Sequence, residues 1–484
     1  MSMSSALSNA LSGLTAASRT ADIISSNVAN AQTDGYGRRE INLSSRVLGG
    51  EGSGVHIDGT SRIVNQGVIA DRRLADASLG ASTTHAGFLQ RIENVIGEPG
   101  AGGSLTERML GLDAAFVEAA SRPDSEPRLQ NVLRNAQGLS DHINLISREI
   151  QTQRTQADKS IAQQVKKLNN SLSRIEQLNT SILTQTTSGR DASALMDQRQ
   201  QLVDQISSII PMRAVPRDKG EIALITTGGA ILLDGRPAEI GFTPVGIITE
   251  DMTLAAGSLS GLTLNGNPVG TSGNGVMAGG SLRALFEVRD ELATTAQTNL
   301  DSVARNLIDR FQDPSTDTTL GVLDAGLFTD AGAFFDSANE PGLSSRLSIN
   351  TRVDPTSGGE IWRLRDGIGA ATQGEVGNAV ILQNLSSALT ENNVPVSGNI
   401  TNASRSAVGL ASDFLSRISS NRQSAEEEIT FSLTKVSALK TQELQSGVDT
   451  DYEMQQLLLV EQSFAANARV MQTIDELIQT LMGI

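Results

Sequence analysis

Catalysis and metal binding need titratable groups that converge, and this sequence keeps them apart. The three histidines, His56, His85 and His142, stand alone, with no second His or carboxylate at the spacing of a zinc site, and read as ordinary solvated side chains. There is no Cys, which excludes disulfides, thiolate metal sites and cysteine nucleophiles. Gly100-Ala101-Gly102 has Leu105 where a dinucleotide-binding loop needs its third Gly, and Gly273-Asn274-Gly275 has Ala278 there. Neither a phosphate-binding Walker loop nor a nucleophile elbow is present. Asp313, Ser315 and Asp317 resemble the start of a calcium loop, but Pro314 and the missing turn Gly make a surface loop the better reading. Asp449, Asp451 and Glu453 precede the last helical pattern, where negative charge favours a helix N-terminus. The sequence therefore nominates no catalytic residue, no cofactor and no metal ligand, and the chain reads as a non-enzyme.

Composition narrows the partners. In 484 residues, 38 Lys and Arg stand against 54 Asp and Glu, a formal charge of −16 that would repel nucleic acid and anionic membranes. Aromatic residues make up 3%, with one Trp and two Tyr, which suits slender helical packing better than a large globular enzyme. No apolar run approaches the length of a membrane span. Ser and Asn interrupt every apolar pair from Ser2 to Ser12, so no secretory signal is legible. If the protein is extracellular, the expectation is export without a cleaved signal.

What the chain does offer for interaction lies at its ends. Met3, Leu7, Ala10, Leu14, Ala17, Ala21, Ile24, Val28 and Ala31 alternate spacings of four and three. Leu457, Val460, Phe464, Asn467, Met471, Ile474, Ile478 and Leu481 do the same. Such stripes must bury against something, and these are too poor in apolar area to stabilise lone helices of their length. The expectation is that they coil on each other and on neighbouring subunits, poorly ordered in the free chain and ordered on assembly. Asn467 on the stripe either selects register or hydrogen-bonds solvent.

Between the ends, Asp34-Gly35 stops the first helix, and a Gly-rich, β-leaning stretch runs to about Asp58. Helical pattern resumes near Ile63, and Ser104 with Glu107 forms a capping box. Pro123 and Pro127 bracket a connector. The longest helical signal runs from Val132 through Ile150 and, after a stutter, from Ile161 to Ile182. A further helix spans about 192–210, a hairpin lies within 221–233, a helix occupies 281–311, and another runs from about Thr401 to Gln445. The expected fold is mainly α with β-rich insertions, in which coiled terminal helices and a discontinuous helical-bundle stem carry outer β-containing segments. Residues 1–60 with 440–484 form the terminal coiled-helix unit, and 61–210 with 276–312 and 401–439 form the stem. Residues 211–275 form a β-rich outer segment, and 313–400 an irregular or β outer segment.

The stretch Ser26-Asn27-Val28-Ala29-Asn30-Ala31-Gln32-Thr33-Asp34-Gly35-Tyr36 resembles the N-terminal signature of bacterial flagellar rod, hook and hook-associated proteins. Gly447-Val448-Asp449 and the run from Gln462 to Leu477 resemble the matching C-terminal signature. Leu195-Met196-Asp197-Gln198-Arg199-Gln200-Gln201-Leu202-Val203, Gly279-Gly280-Ser281-Leu282-Arg283-Ala284-Leu285 and Tyr36-Gly37-Arg38-Arg39 resemble the hook-associated junction members most. The resemblance implies a structural subunit at the hook–filament junction, secreted by the flagellar type III apparatus and residing in the extracellular flagellum. It implies as partners other copies in a ring, the hook protein, a second junction protein, and an export chaperone on the C-terminal helices. It gives Asn27, Asn30, Gly35 and Tyr36 the turn that joins the inner tube to the next shell. The alternatives are a hook-like axial protein, or an axial stem displaying an adhesive or enzymatic outer segment.

Overall fold

The computed structural model describes residues 3–48, 51–100, 102–273, 275–400 and 402–483. One helix organises most of it. Helix α4 (Glu126–Thr187) is 62 residues long, about 93 Å at the helical rise. Its apolar positions recur through both parts of the pattern, so Val132, Leu139, Ile146 and Ile150, and then Ile161, Leu168, Leu172 and Ile175, are buried along one side. Pro127 was expected in the connector. It lies instead in the first turn of α4, where a missing N–H costs nothing.

Two apolar cores are strung on this helix. The first half of α4 packs with α2 (Gln66–Ile96), α3 (Leu105–Ser121) and α7 (Ala293–Phe311), and the start of α11 (Ala407–Gln445) closes the same core. Phe311 lies at its centre, stacked on Phe116 at 6.0 Å and edge-on to Phe328 at 5.1 Å. The second half of α4 packs with α5 (Ser193–Ser207), α6 (Gly280–Glu287) and two small sheets. One sheet has the order β3 (Met212–Pro216), β4 (Ile222–Thr226), β5 (Ile231–Asp234), β6 (Arg236–Pro237). The other has β7 (Ile240–Gly241), β8 (Leu262–Leu264) and β9 (Asn267–Val269).

Local chemistry sets the element ends. Asn65 caps α2 by accepting from the Val68 N–H, and Ser104 caps α3 by accepting from the Glu107 N–H. Glu107 reaches back to the Gly103 N–H rather than to that of Ser104. The described part of the late stem helix starts at Ala407, capped by Ser406; the expected start, Thr401, lies outside the described residues, as do Ala101 and Asn274 of the two Gly clusters. The helix expected over 281–311 is interrupted by a widened π-helical turn, Val288–Leu292. That turn directs Arg289 inward, fully buried against Asp158 at 2.7 Å and over the ring of Phe286 at 4.8 Å.

Residues 313–400 differ most from expectation. Rather than standing out from the stem, they send Leu320, Phe328, Leu347, Leu364, Leu382 and Leu385 into the first core. Strands β10 (Phe328–Asp330) and β11 (Leu347–Ile349) form only a short ribbon. Between these strands and in the following loops, α8 (Leu343–Arg346) and α9 (Arg363–Asp366) are single turns, and α10 (Val380–Thr390) lies on α3. Buried polar groups fasten the segment. Asp301 accepts from the N–H groups of Gly342 at 2.8 Å and Ser344 at 2.9 Å, and burial pushes its pKa up. Arg310 donates to the carbonyls of Ala388 and Glu391 at 2.6 Å and of Arg405 at 2.9 Å.

Three single-residue readings also change. Asp317 is buried rather than on a surface loop, accepting from Thr319 and from the Ile368 N–H at 2.7 Å. His142 is buried with Nε2 near the Ile96 carbonyl, and burial lowers its pKa. His85 lies 2.8 Å from Glu287, a partner 202 positions along the chain that no local spacing could reveal.

At the opposite end of the stem, α1 (Met3–Ala29), the hairpin β1 (Arg38–Leu48) and β2 (Glu51–Ile63), and α12 (Thr450–Met482) form a unit of their own. No residue of these four elements belongs to either apolar core. Among the described residues, no helix is long and apolar enough to cross a membrane.

Arg310→Met removes the donor to three carbonyls, that of Ala388 buried, and is expected to cost about 3 kcal/mol. Thermal unfolding followed by circular dichroism should show a lowered midpoint, whereas an unchanged midpoint would deny that residues 380–405 are held to the stem this way.

Candidate assembly surface and the joint beneath it

The terminal helices run antiparallel. Residues 23 and 24 of α1 lie opposite the start of α12, and Gly13 faces Asn467. A Cβ at Gly13 would stand 2.8 Å from the Asn467 amide, so glycine lets the two backbones approach. The seam is made of small residues: Ala10, Ala16, Ala17 and Ile24 on one side and Ile474 on the other are its buried apolar members. Of the other stripe residues, Leu14, Val28, Leu457, Val460, Asn467, Met471 and Ile478 are half-buried, while Leu7, Phe464 and Leu481 face outward. Leu458, Leu459, Val470 and Leu477 are exposed on the same helix. Asn467 donates to the Ser463 carbonyl, which satisfies its amide on its own helix.

The turn after α1 is built around Asn27, which is 1% exposed. Its Oδ1 accepts from the Tyr36 hydroxyl at 2.9 Å and from the Arg39 N–H at 3.0 Å, and its Nδ2 donates to the Arg39 carbonyl at 2.9 Å. One amide thereby closes the chain reversal from helix to strand. Asn30 donates back to the Ser26 carbonyl and accepts from Thr33, which tightens the last turn. Gly35 has φ +79°, and a Cβ there would meet Gln201 at 2.8 Å, so the position needs glycine on both counts. The Tyr36 ring lies under the Arg39 guanidinium at 5.0 Å, and burial raises the pKa of its hydroxyl.

This turn rests on α5 through Asp197. The carboxylate accepts from the Gly37 N–H at 3.0 Å, from Arg62 Nε at 2.7 Å and from Arg39 Nη2 at 3.1 Å. Arg62 also donates to the Gly35 carbonyl and to Gln200. Gln200 passes the contact on to Glu443 of α11, which receives Arg72 Nε at 2.6 Å. Arg72 and Arg73 of α2 both hold Asp204 of α5, at 2.7 and 2.6 Å. Burial opposes the charge on Arg72, but Asp204 and Glu443 hold its pKa above the ordinary value. Arg199 on the inner side of α5 is lowered to about 10 by burial.

The sequence had singled out the motif containing Asp197, Gln200 and Gln201 without giving these residues a task. Arg39 stood in another motif, again without a task, while Arg62, Arg73, Asp204 and Glu443 carried no local signal, because their partners are far apart in the chain. Asp449 does cap α12, accepting from Asp451 and Tyr452, while Glu453 is buried in the groove between α12 and the hairpin. Among the described residues, no group of three or more His, Asp or Glu could hold a metal ion.

Asn27→Ala leaves the Tyr36 hydroxyl and both backbone groups of Arg39 without their partner, at a cost of about 2–3 kcal/mol. Limited proteolysis should then cut faster within residues 30–37, with the thermal midpoint of the stem unmoved; unchanged cleavage would contradict the role given to Asn27.

Residues 89–319 match the helical domain of flagellar hook-associated protein FlgK. Residues 7–36 match the flagella basal body rod protein model, and 444–484 match the C-terminal model of the flagellar basal body rod FlgEFG proteins. Flagellar hook-associated protein 1 of Salmonella typhimurium is 26% identical over 243 residues, a match spanning 49% of this chain and 44% of the relative. The Bacillus subtilis protein of the same name is 24% identical over 99% of this chain and 97% of its own length. The solved flagellar hook junction protein FlgK from Burkholderia pseudomallei aligns with a TM-score of 0.42 and 18% identity, covering 54% of this chain and 47% of that one. Rod-type models at both ends with the hook-associated helical domain between them make the chain similar to the flagellar axial proteins, in the order found in flagellar hook-associated protein 1.

Proposed function

We propose that this chain is a structural subunit of the bacterial flagellum that forms the junction between hook and filament and is needed for filament growth on the hook. The observation that carries the reading is the antiparallel terminal pair, whose inner seam is thin and which leaves large apolar side chains uncovered in the single chain. Phe464, Leu458, Leu477 and Leu481 are 41%, 58%, 50% and 60% exposed on one helix. An apolar surface of this kind marks an interaction site.

Copies of the chain are the first partners, arranged as a ring in which α1 and α12 line an inner tube. The hook protein adjoins the ring on one side and the second junction protein on the other. Before assembly the same stripe would aggregate or pair early, which gives an export chaperone a reason to cover the C-terminal helices. Secretion through the flagellar type III apparatus takes the subunit from the cytoplasm to the extracellular flagellum. Assembly buries these exposed side chains and offsets the entropy of ordering the terminal helices. The role is structural, as the family is, and the polar turn at Asn27, Asn30, Gly35 and Tyr36 sets the angle between inner tube and stem.

A strain lacking its own copy should carry bare hooks and shed filament monomer into the medium, and this chain should restore filaments. Phe464→Asp or Ile474→Asp should abolish that restoration while the stem still folds. Normal filament growth with either variant would contradict terminal packing as the means of assembly.

A further inference from the structure

We propose that neighbouring copies of this chain pack side by side through two unlike faces of the stem, the cationic stripe over residues 159–174 of α4 on one copy lying against the acidic face around Glu427 and Phe431 of α11 on the next. The inference rests on the assembly reading above and names the lateral contact within it.

Lys159, Lys166, Lys167 and Arg174 recur on the side of α4 turned away from the second core, over about 22 Å of helix. All four are exposed, and none makes an ion pair or hydrogen bond among the described residues. No exposed carboxylate interrupts the stripe, because Asp158 is buried against Arg289 and the half-buried Glu176 comes after it. On α11, the side opposite the buried Ser432 carries Glu427 and, one turn on, Phe431, which is 71% exposed. Glu428 beside them makes no ion pair or hydrogen bond among the described residues, and Glu427 receives only the Gln423 side-chain amide at 3.3 Å. Lys435 follows one turn past Phe431 and ends the acidic part of the face. An exposed ring beside carboxylates is matched by a row of Lys and Arg, whose charges meet the carboxylates and whose stems and cationic heads cover the ring.

Hydrogen bonds across the stem set both faces at one height. At one level, Arg91 of α2 donates to Gln153 of α4 at 2.8 Å, and Glu93 of α2 accepts from Arg422 of α11. At the next, Gln164 of α4 donates to Ser281 of α6 at 3.0 Å, and the Ser281 N–H donates to the Ser208 carbonyl, which lies against Gly80 of α2. There Ser78 of α2 bonds Ser432 of α11 at 3.3 Å. Lys159 falls between these levels on α4, and Glu427, Glu428 and Phe431 fall between them on α11. With α2 standing between the two helices, the faces cannot meet within one chain. Matching but unlike faces join copies head to tail, a series that closes into a ring when the rotation allows. Equal height means that the next copy needs a rotation and little axial shift. The net charge of −16 repels nucleic acid and anionic membranes from the stripe, whereas another copy offers it a local cluster of carboxylates.

A carbodiimide, which joins a lysine amine to a touching carboxylate as an amide, reads the contact directly. The full chain is used to restore filaments to a strain lacking its own copy, and the isolated flagella are coupled and digested. Peptides joining Lys159, Lys166 or Lys167 to Glu427 or Glu428 should be recovered, and since α2 separates the two faces they can come only from two copies. Restored filaments without such peptides, or with the stripe joined to a different protein instead, would overturn the contact and leave the junction reading standing. Failure of the unmodified chain to restore filaments would overturn the junction reading, and this contact with it. In a second arm, Lys159→Glu with Lys166→Glu, and Glu427→Lys with Glu428→Lys, should each reduce restored filaments at least about tenfold, and all four together should recover them. These side chains are exposed, so the thermal midpoint of the stem should not move. Undiminished restoration by either pair alone would also refute the contact.

Discussion

The carboxylate of Asp197 is where the two parts of the molecule meet. It takes hydrogen bonds from the backbone of the turn after α1 and from two arginines of the hairpin, while its own helix is seated in the second apolar core of the stem. Around it, Gln200, Asp204, Arg72, Arg73 and Glu443 extend the contact across α5, α2 and α11. The joint is polar throughout. Its strength depends on geometry and on every donor finding an acceptor, and its loss would free the terminal unit without exposing an apolar core.

That division follows from how the sequence spends its apolar residues. Nearly all large buried side chains lie on α4 and the elements packed against it, and the two cores share that helix as a common spine. The terminal unit fully buries mostly alanines, with Ile24 and Ile474, and leaves its larger side chains half-buried or exposed. A stem stabilised by burial can hold its shape alone. A terminal pair held by close backbone approach at Gly13 and by polar turns buries much less, which fits the proposed completion by neighbouring subunits.

The legible parts of the fold were those written in short-range periodicity. Val132 to Ile182 repeats every three or four residues, so one long helix was readable, as were the terminal stripes and the Ser104 cap. The segment 313–400 was not readable in this way. Its core residues, such as Leu320, Phe328 and Leu347, come singly from loops and short strands, and what fixes them are distant partners like Asp301 and Arg310. The candidate site shows the same contrast. Gly35 and the turn were visible as punctuation and as a family signature, but Asp197 receives Arg62 from 135 positions away, and Glu443 receives Arg72 from 371 away. Neither pairing leaves a local trace.

Hydrogen exchange on the free chain reads local stability along the whole backbone. Exchange should be slow in α4, which carries both apolar cores, and in α7, which lies in the first, and much faster across residues 3–29 and 450–482. Protection of both terminal helices equal to that of the stem would contradict this division, since the polar joint and a seam of small residues could not then be all that holds them.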